Sequence, residues 1–410
     1  MIKRFIIAAT TAATLAATAS AQELRMTVWT GSDAHLSMLG GFADSFAAEN
    51  PGVTVKFETI PFGDYVQSLT LQLAGSNPPD LGWLLESSAP TFVQAGVLLD
   101  VGDKLRGDAA YDFADFSEPA MSLWQSGDAI NGIPFSTSPL VVLYNASMFE
   151  AAGLETPNEM AAEGKWTWDA MRTSAAALAG DGVYGFESMD GRGYGNTVLH
   201  TLMPIVRSYG GEAWSSGACG LNSAAAKEAI TLYHNMIFAD GAVVPPGEQA
   251  NFFTGGAAMT VSQISRVSKL ADADFEWDLA PLPTGPAGAA PVIGQAGLVA
   301  FASGNNTELA ADFLAHMTSV DNVTTMAQFF PPARNSVLNG EVFLNSNKAL
   351  SPMQMGIVAD AIATGKILPS HPKFPQIQAA MRPKFDALWQ ADADVEAVLD
   401  SVCAAIESLL

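Results

Sequence analysis

Three polar residues follow predicted β-strands at positions where a ligand could reach them. Asp33 comes after the strand-like run LRMTVW, and Glu86 and Ser87 come directly after LGWLL. The intervening segments alternate between strand and helix patterns, which is the β-α-β-α-β opening of a layered α/β domain. Ligands of such sheets bind beyond the carboxyl ends of the strands. Carboxylate and hydroxyl groups at these positions can therefore hydrogen-bond a polar solute.

Residue patterns of catalysis are missing from the sequence. The chain has 42 Asp and Glu residues, so acidic pairs arise by chance, and it has only five histidines. It contains no Gly-x-Ser-x-Gly elbow, no His-Glu-x-x-His helix and no Cys/His cluster. We therefore expect a protein that is not an enzyme and carries no cofactor and no metal. The competing hypotheses are a secreted glycoside-active enzyme and a scaffold or adhesin, although the latter would not need two α/β units.

Length and composition restrict the class of protein. A chain of 410 residues is too long for one ordinary core, so two domains are expected. Hydrophobic residues make up 49% and charged residues 15%, which indicates a globular chain. The formal net charge of −23 argues against nucleic acid and anionic membrane surfaces as partners, because both attract basic proteins.

The first 21 residues, MIKRFIIAATTAATLAATASA, have the pattern of a secretory signal peptide. Lys3 and Arg4 form the positive region, an apolar stretch follows, and Ala19-Ser20-Ala21 is a small-residue cleavage site. The alternative is a membrane anchor, but the segment is short and ends in small residues rather than charges. We therefore expect a protein exported to the periplasm through a cleavable signal peptide.

Cys219 and Cys403 are the two cysteines of the chain. In an oxidising compartment they can pair, and the bridge would close a large loop. The sequence cannot show whether the geometry allows it, so two buried free thiols are the alternative.

The stretch INGIPFSTSPLVVLYN combines contradictory patterns. PLVVLYN is typical of a buried strand, yet Pro134, Pro139 and three hydroxyl residues precede or interrupt it. Prolines and small polar residues are unusual within a central strand. The stretch is either a functional interruption or a β-bulge beside a turn.

Seven short motifs in a fixed order resemble the extracellular solute-binding proteins of ABC importers, specifically the family-1, sugar-binding type that includes the maltodextrin-binding proteins. The resemblance covers almost the whole chain after the signal peptide. The motifs are Asn50-Pro51-Gly52-Val53, Pro79-Asp80, Leu143-Tyr144-Asn145 with Ala152-Gly153-Leu154, Thr167-Trp168-Asp169, Phe253 to Met259, Ala280 to Gly288, and Pro332 to Ser336.

The resemblance implies an α/β fold of two lobes, of the type II-like periplasmic binding protein class, joined by hinge crossovers. The first lobe would comprise residues 23–136 and 297–331, and the second would comprise residues 140–294 and 342–410. A solute would bind in the cleft between the lobes and shift the population to a closed form, which a permease in the inner membrane would recognise. The protein would act as a monomer. Small hydroxyl residues at the first crossover could absorb the change in backbone angles.

Sugar sites stack an aromatic ring on the pyranose and surround its hydroxyls with polar groups. Trp83 is the candidate stacking ring, with core packing as its alternative. His200 could instead be an ordinary helix residue, and Arg334 could form a surface salt bridge. By position relative to the family's motifs, the candidate ligand-binding residues are Asp33, Trp83, Glu86, Ser87, Ser136, Ser138, Asn196, His200, Gln263, Ser265, Arg266, Gly294, Gln295 and Arg334.

The resemblance favours a mono- or disaccharide as the solute. Two departures from the family weaken this choice, because no tryptophan lies near Gln263 and a histidine replaces an aromatic residue at position 200. A polyol, an amino sugar or another osmolyte would also fit such a cleft. An arginine in the site would suit an acidic sugar through bidentate pairing.

Overall fold

The computed structural model describes residues 22–75, 77–188, 198–248 and 250–410. The predicted signal peptide and Asn196 lie outside these ranges.

The strands begin and end close to where alternation of apolar and polar residues predicts them. Those longer than two residues are β1 (Gln22–Val28), β2 (Val53–Thr59), β3 (Leu81–Leu85), β6 (Ile133–Asn145), β9 (Met259–Gln263), β10 (Trp277–Ala280) and β11 (Val292–Ala300). The two-residue strands are β4 (Gln125–Ser126), β5 (Ala129–Ile130), β7 (Trp214–Ser215), β8 (Ala218–Cys219) and β12 (Lys366–Ile367).

The helices pack against this framework, and some of them, among them α8 (Trp168–Leu178), begin after a residue whose side chain caps the first turn. Thr167 caps one of them by accepting a hydrogen bond from the Ala170 N–H, as its position before an apolar run predicts. The helices are α1 (Asp33–Glu49), α2 (Tyr65–Ala74), α3 (Ala89–Gln94), α4 (Gly102–Gly107), α5 (Glu118–Met121), α6 (Ala146–Ala152), α7 (Pro157–Ala162), α8 (Trp168–Leu178), α9 (Val198–Ser208), α10 (Ala224–Phe238), α11 (Thr307–Met317), α12 (Val320–Met326), α13 (Asn335–Leu338), α14 (Glu341–Leu344), α15 (Pro352–Thr364), α16 (Phe374–Phe385) and α17 (Val395–Ile406).

One continuous sheet runs through the molecule in the order β10-β6-β11-β3-β1-β2, with β9 paired to β6 and β12 paired to β11. β1 is parallel to both β2 and β3, which is the arrangement expected of the opening β-α-β-α-β segment. β11 then pairs antiparallel with β3 on one side and with β6 on the other. The two long strands β6 and β11 therefore connect the two halves of the molecule.

The stretch INGIPFSTSPLVVLYN, with its prolines and hydroxyl residues, contains one buried strand, β6. The first half of β6 pairs with β11, from Ile133 to Pro139, and the second half pairs with β9 and β10, from Leu140 to Asn145. The register with β11 shifts between Ala296 and Gly297, so a β-bulge does accompany the strand. The prolines and hydroxyls therefore lie where β6 changes partners.

Two hydrophobic clusters form the core. One packs on β1–β3 and helices α1, α2 and α11, and it extends along one face of β6 to Val141 and Leu143. The other contains Leu140, Val142 and Tyr144 from the opposite face of β6, together with α8–α10, α16 and α17. This alternation follows from the two-residue period of a strand. The first cluster also includes Phe252 and Leu279, which the predicted boundaries assign to the second lobe. The residue boundaries of the two lobes therefore stay a prediction.

Cys219 and Cys403 form a disulfide that joins β8 to α17. Of the two alternatives left open by the sequence, the structure therefore contains the bridge rather than two free thiols. Helices of the described ranges are all too short or too polar to span a bilayer. The same ranges contain no group of three His, Cys, Asp or Glu side chains placed to hold a metal ion.

Candidate functional site

The carboxyl ends of the parallel strands β1 and β3 lie side by side and place polar groups at one edge of the sheet. Trp29 follows β1 and is half-buried, and Glu86 and Ser87 follow β3. Val198, Leu199 and His200 of α9 lie opposite, with Phe374, Gln378 and Met381 of α16. We call the space between Glu86 and Ser87 on one side and these residues of α9 and α16 on the other the interlobe cleft.

Glu86 is held rigidly at the edge of this cleft. Its carboxylate Oε2 accepts a 2.8 Å hydrogen bond from the Gln295 N–H, and its own N–H donates to the Gln295 carbonyl over 3.0 Å. The side chain is 1% exposed, and Oε1 has no hydrogen-bond partner among the described residues. His200 Nε2 lies 3.6 Å from that oxygen. A carboxylate oxygen fixed in this way can accept a hydrogen bond from a solute hydroxyl.

The rims of the cleft touch in this structure. Thr91 Oγ1 donates to the Pro372 carbonyl over 2.9 Å, and the His200 ring reaches Glu86 from the opposite side. The cavity left between Glu86, His200 and α16 has a volume of only about 10 Å³. Such a space holds about one water molecule, so a larger solute could enter only after the rims separate.

Burial raises the pKa of Glu86 to about 7, although hydrogen bonds from the Gln295 backbone and its own backbone lower it in part. The unfolded chain would bind this proton only below about pH 4.5. We therefore expect the contribution of Glu86 to the free energy of unfolding to fall by about 3 kcal/mol as pH rises from 4.5 to 7, because the folded state binds this proton more tightly. Urea denaturation at a series of pH values measures this change in stability. His200, 3.6 Å from Glu86, is the other titratable group at this site.

Glu86→Gln is the matched variant for that measurement. Its side chain cannot ionise, so the slope of stability against pH should be shallower than that of the wild type between pH 4.5 and 7. Parallel profiles for the two proteins would contradict a neutral, buried Glu86 carboxyl.

The crossover strands bring four of the predicted residues together. Ser136 and Ser138 share one face of β6, and Gly294 is the register partner of Ser138 on β11. Gln263 pairs with Leu140 on the same face, and a Cβ added at Gly294 would collide with the Gln263 side-chain amide. Ser138 Oγ is buried and has no hydrogen-bond partner within the described ranges. This face also carries Leu140 and Val142 of the cluster on which α9 and α16 pack.

Trp83 does not offer a stacking surface. Its side chain is 1% exposed and packs among Trp29, Phe135 and Phe330, with ring centroids 5.0, 4.8 and 6.0 Å away. The expectation that Trp83 stacks on a sugar is therefore corrected to its alternative, core packing. Its indole Nε1 has no hydrogen-bond partner in the part of the chain that is described.

Trp29 is the aromatic residue that the sequence analysis missed. Its half-buried ring contacts Phe62, Tyr65 and Trp83 at 6.0, 5.1 and 5.0 Å, so it covers Trp83 at the carboxyl end of β1. The position could have been found, because an aromatic residue directly after a parallel strand lies where ligands of α/β sheets bind.

Arg334 neither reaches the cleft nor forms a surface salt bridge. The side chain is fully buried, and its guanidinium donates to the carbonyls of Tyr111, Asp112 and Thr318 over 2.7, 3.0 and 2.9 Å. It also lies 3.3 Å from an Asp115 carboxylate oxygen. The expected ligand contact is therefore corrected, because every nitrogen of the guanidinium already has a partner within one cluster.

The remaining predicted residues are dispersed. Asp33 is exposed at the first turn of α1. The Gln295 side chain lies on the same face of the sheet as Thr137, opposite to the face of Ser136 and Ser138. Its expected place in the cleft is therefore corrected. Ser265 and Arg266 belong to the 3₁₀ segment after β9, where the Arg266 guanidinium lies 5.9 Å from the Phe253 ring centroid. The ligand roles of Asp33, Ser265 and Arg266 stay predictions.

The family model described as bacterial extracellular solute-binding protein matches residues 35–324, and the chain belongs to that family. A protein of Brucella abortus, named as a binding protein without a stated ligand, is 27% identical over 97% of this chain and 95% of its own length.

Solved structures share the fold. An ABC substrate-binding protein from Listeria monocytogenes in complex with cycloalternan has a TM-score of 0.82 and 20% identity, covering 95% of this chain and 99% of that one. An ABC transporter solute-binding protein from Agrobacterium vitis with bound D-mannitol has a TM-score of 0.74 and 22% identity, covering 95% and 98%. The recognised fold class and family are thus confirmed. The molecule is a two-lobed solute-binding protein of an ABC transporter, a class that takes small-molecule ligands and works with ABC permeases.

Proposed function

We propose that this protein captures a small neutral carbohydrate or polyol in the interlobe cleft and delivers it to the permease of an ABC importer. The observation that carries the proposal is Glu86. One oxygen of this buried carboxylate is fixed by the Gln295 N–H, and the other has no hydrogen-bond partner among the described residues and lies 3.6 Å from His200 Nε2. Hydroxyls of Ser136 and Ser138 line the strands beside it, and Trp29 supplies an aromatic surface at the next strand end.

The charges of these residues favour a neutral solute over an acidic one. Arg334 was the residue expected to pair with an acidic sugar, and its guanidinium is committed to three backbone carbonyls instead. Glu86 would repel an anion when ionised, and its oxygens can accept a hydrogen bond from a solute hydroxyl in either protonation state. The Listeria and Agrobacterium proteins are named with a cyclic glucan and with D-mannitol, which is consistent with a polyhydroxylated ligand.

The contact between the rims supports a closing mechanism. A solute larger than water needs an open form in which Glu86 and His200 are apart, and contacts to both sides would then favour the closed form. The permease would recognise that closed form. We propose that the protein works as a monomer in the periplasm after removal of residues 1–21, and that it binds the solute without transforming it.

The decisive experiment identifies the solute and then tests Glu86. Mass spectrometry of the protein purified from its native host should reveal a co-purified neutral carbohydrate or polyol. Calorimetry with that compound above pH 7, where the Glu86 carboxyl is ionised, should show that Glu86→Gln weakens binding at least tenfold, because a hydrogen bond to a buried charged group contributes on the order of 1.5–3 kcal/mol. Trp29→Ala should have an effect of similar size through the loss of stacking area.

Glu49→Gln is the control, since Glu49 is an exposed carboxylate on the last turn of α1. Its affinity should equal that of the wild type. Wild-type affinity in both Glu86→Gln and Trp29→Ala would contradict the proposed site, even with the family assignment unchanged. Recovery of a hydrolysed product from the same incubation would instead support a glycoside-active enzyme.

A further inference from the structure

A cavity of about 550 Å³ lies on the face of the crossover strands opposite Ser136 and Ser138. Its walls come from three separate stretches of the chain, at residues 117–122, 332–339 and 362–367, while Thr137, Ile293 and Gln295 form its floor. This volume falls within the range of about 300–1,000 Å³ that is typical of small-molecule sites. It is therefore large enough for a solute of several carbons.

Two buried side chains on the floor have polar atoms without partners. Thr137 is 3% exposed, and its Oγ1 has no hydrogen-bond partner among the described residues. Gln295 is 2% exposed, and its Nε2 is likewise unpartnered. Leaving a buried donor or acceptor unsatisfied costs about 1–3 kcal/mol, so each such group calls for an explanation.

The orientation of the Gln295 amide is fixed by a neighbour. Trp124 Nε1 donates a 2.8 Å hydrogen bond to Gln295 Oε1, and the indole is fully buried. Since an indole N–H can only donate, Oε1 must face Trp124 and Nε2 must be the free donor. Thr137 and Gln295 are register partners on β6 and β11, so their unpartnered atoms lie on the same face of the sheet.

Apart from Lys366, the remaining lining is neutral. Ala333, Leu338 and Ile362 supply apolar wall, and Asn335 and Asn339 supply amides. The ammonium group of Lys366 lies 3.4 Å from the Glu212 carboxylate, which is its ion-pair partner. A donor, a hydroxyl and apolar walls without an unpaired charge match a neutral molecule that carries several hydroxyls.

We propose that this cavity is a second solute site, separate from the interlobe cleft, which takes a small neutral polyol through the Gln295 amide and the Thr137 hydroxyl. The inference does not depend on which solute the cleft binds.

Xylitol is a suitable probe, and the whole protein without its signal peptide is the sample. Crystals soaked in millimolar xylitol should show one molecule bonded to Gln295 Nε2 and Thr137 Oγ1. In calorimetry, Thr137→Val should weaken that binding about fivefold or more, because valine keeps the shape and removes the hydroxyl. Ala363 is an exposed residue of α15 that lines the cavity, and Ala363→Trp should abolish xylitol binding there by filling the space.

The cleft ligand found by mass spectrometry provides the control. Thr137→Val should bind that ligand with wild-type affinity, whereas Glu86→Gln should lose it and still take up xylitol in the cavity. Only ordered water on Thr137 and Gln295 in the soaked crystals would overturn the proposal, as would xylitol confined to the interlobe cleft. Neither of those outcomes would contradict the function proposed for the cleft.

Discussion

Replacing Arg334 with methionine is expected to lower the free energy of unfolding by about 3–5 kcal/mol without removing a ligand contact. The guanidinium is fully buried and bonded to three backbone carbonyls and to Asp115. It also packs over the rings of Tyr111 and Phe116 at 4.7 and 4.2 Å from their centroids. Methionine keeps the length of the side chain but leaves those carbonyls without the guanidinium donor and removes the positive charge beside Asp115, to which Ser336 still donates. Urea denaturation measures the loss.

Arg106→Met is the matched control. Arg106 is exposed, and its guanidinium donates a hydrogen bond to the Asp128 carbonyl and lies 5.5 Å from the centroid of the Phe113 ring. An exposed arginine with such contacts should contribute less than about 1 kcal/mol. Equal effects of the two substitutions would show that Arg334 is not a structural anchor. A large loss of affinity in folded Arg334→Met protein would restore the ligand role first expected from the sequence.

Local patterns were sufficient to predict much of the fold. The predicted strand LGWLL agrees with β3 residue by residue, and Thr167 caps α8 as its position predicts. These features depend on neighbours within a few residues, such as the spacing of apolar side chains and a hydroxyl before a helix. The family resemblance then supplied the order in which the elements assemble.

β6 shows where local patterns stop being informative. Two prolines and three hydroxyls argue against a central strand, yet all thirteen residues of β6 are buried strand. The strand tolerates Pro134 because the register with β11 shifts beside it, between Ala296 and Gly297. That partner lies far along the chain, so no short window of sequence could have indicated it.

The errors at the site have the same origin. Nothing near Arg334 in the sequence shows that the carbonyls of Tyr111 and Thr318 would take up its guanidinium. Trp83 and Trp29 differ in exposure only because one ring covers the other, which depends on how β1 and β3 pair. The Gln295 side chain lies in the cavity behind the sheet rather than in the cleft because of the parity of its position on β11.

Removing the disulfide should produce the other large loss of stability. Cys219 and Cys403 are 184 residues apart, and in the chain-entropy model a loop of that length corresponds to about 5 kcal/mol, against measured losses of about 2–5 kcal/mol. The double variant Cys219→Ala with Cys403→Ala should therefore unfold at a much lower urea concentration than the oxidised wild type. Alanine avoids burying a hydroxyl at position 403, which is only 3% exposed within α17.

Reductant supplies the control for that prediction. It should lower the unfolding midpoint of the wild type toward that of the double variant and leave the double variant unchanged. The bridge joins β8 to α17, and neither cysteine lines the cavity beside Glu86, so folded protein of either kind should keep its affinity for the cleft ligand. An unchanged wild-type midpoint, once thiol titration confirms two free thiols, would mean that packing of α17 on the second cluster alone holds this end of the chain.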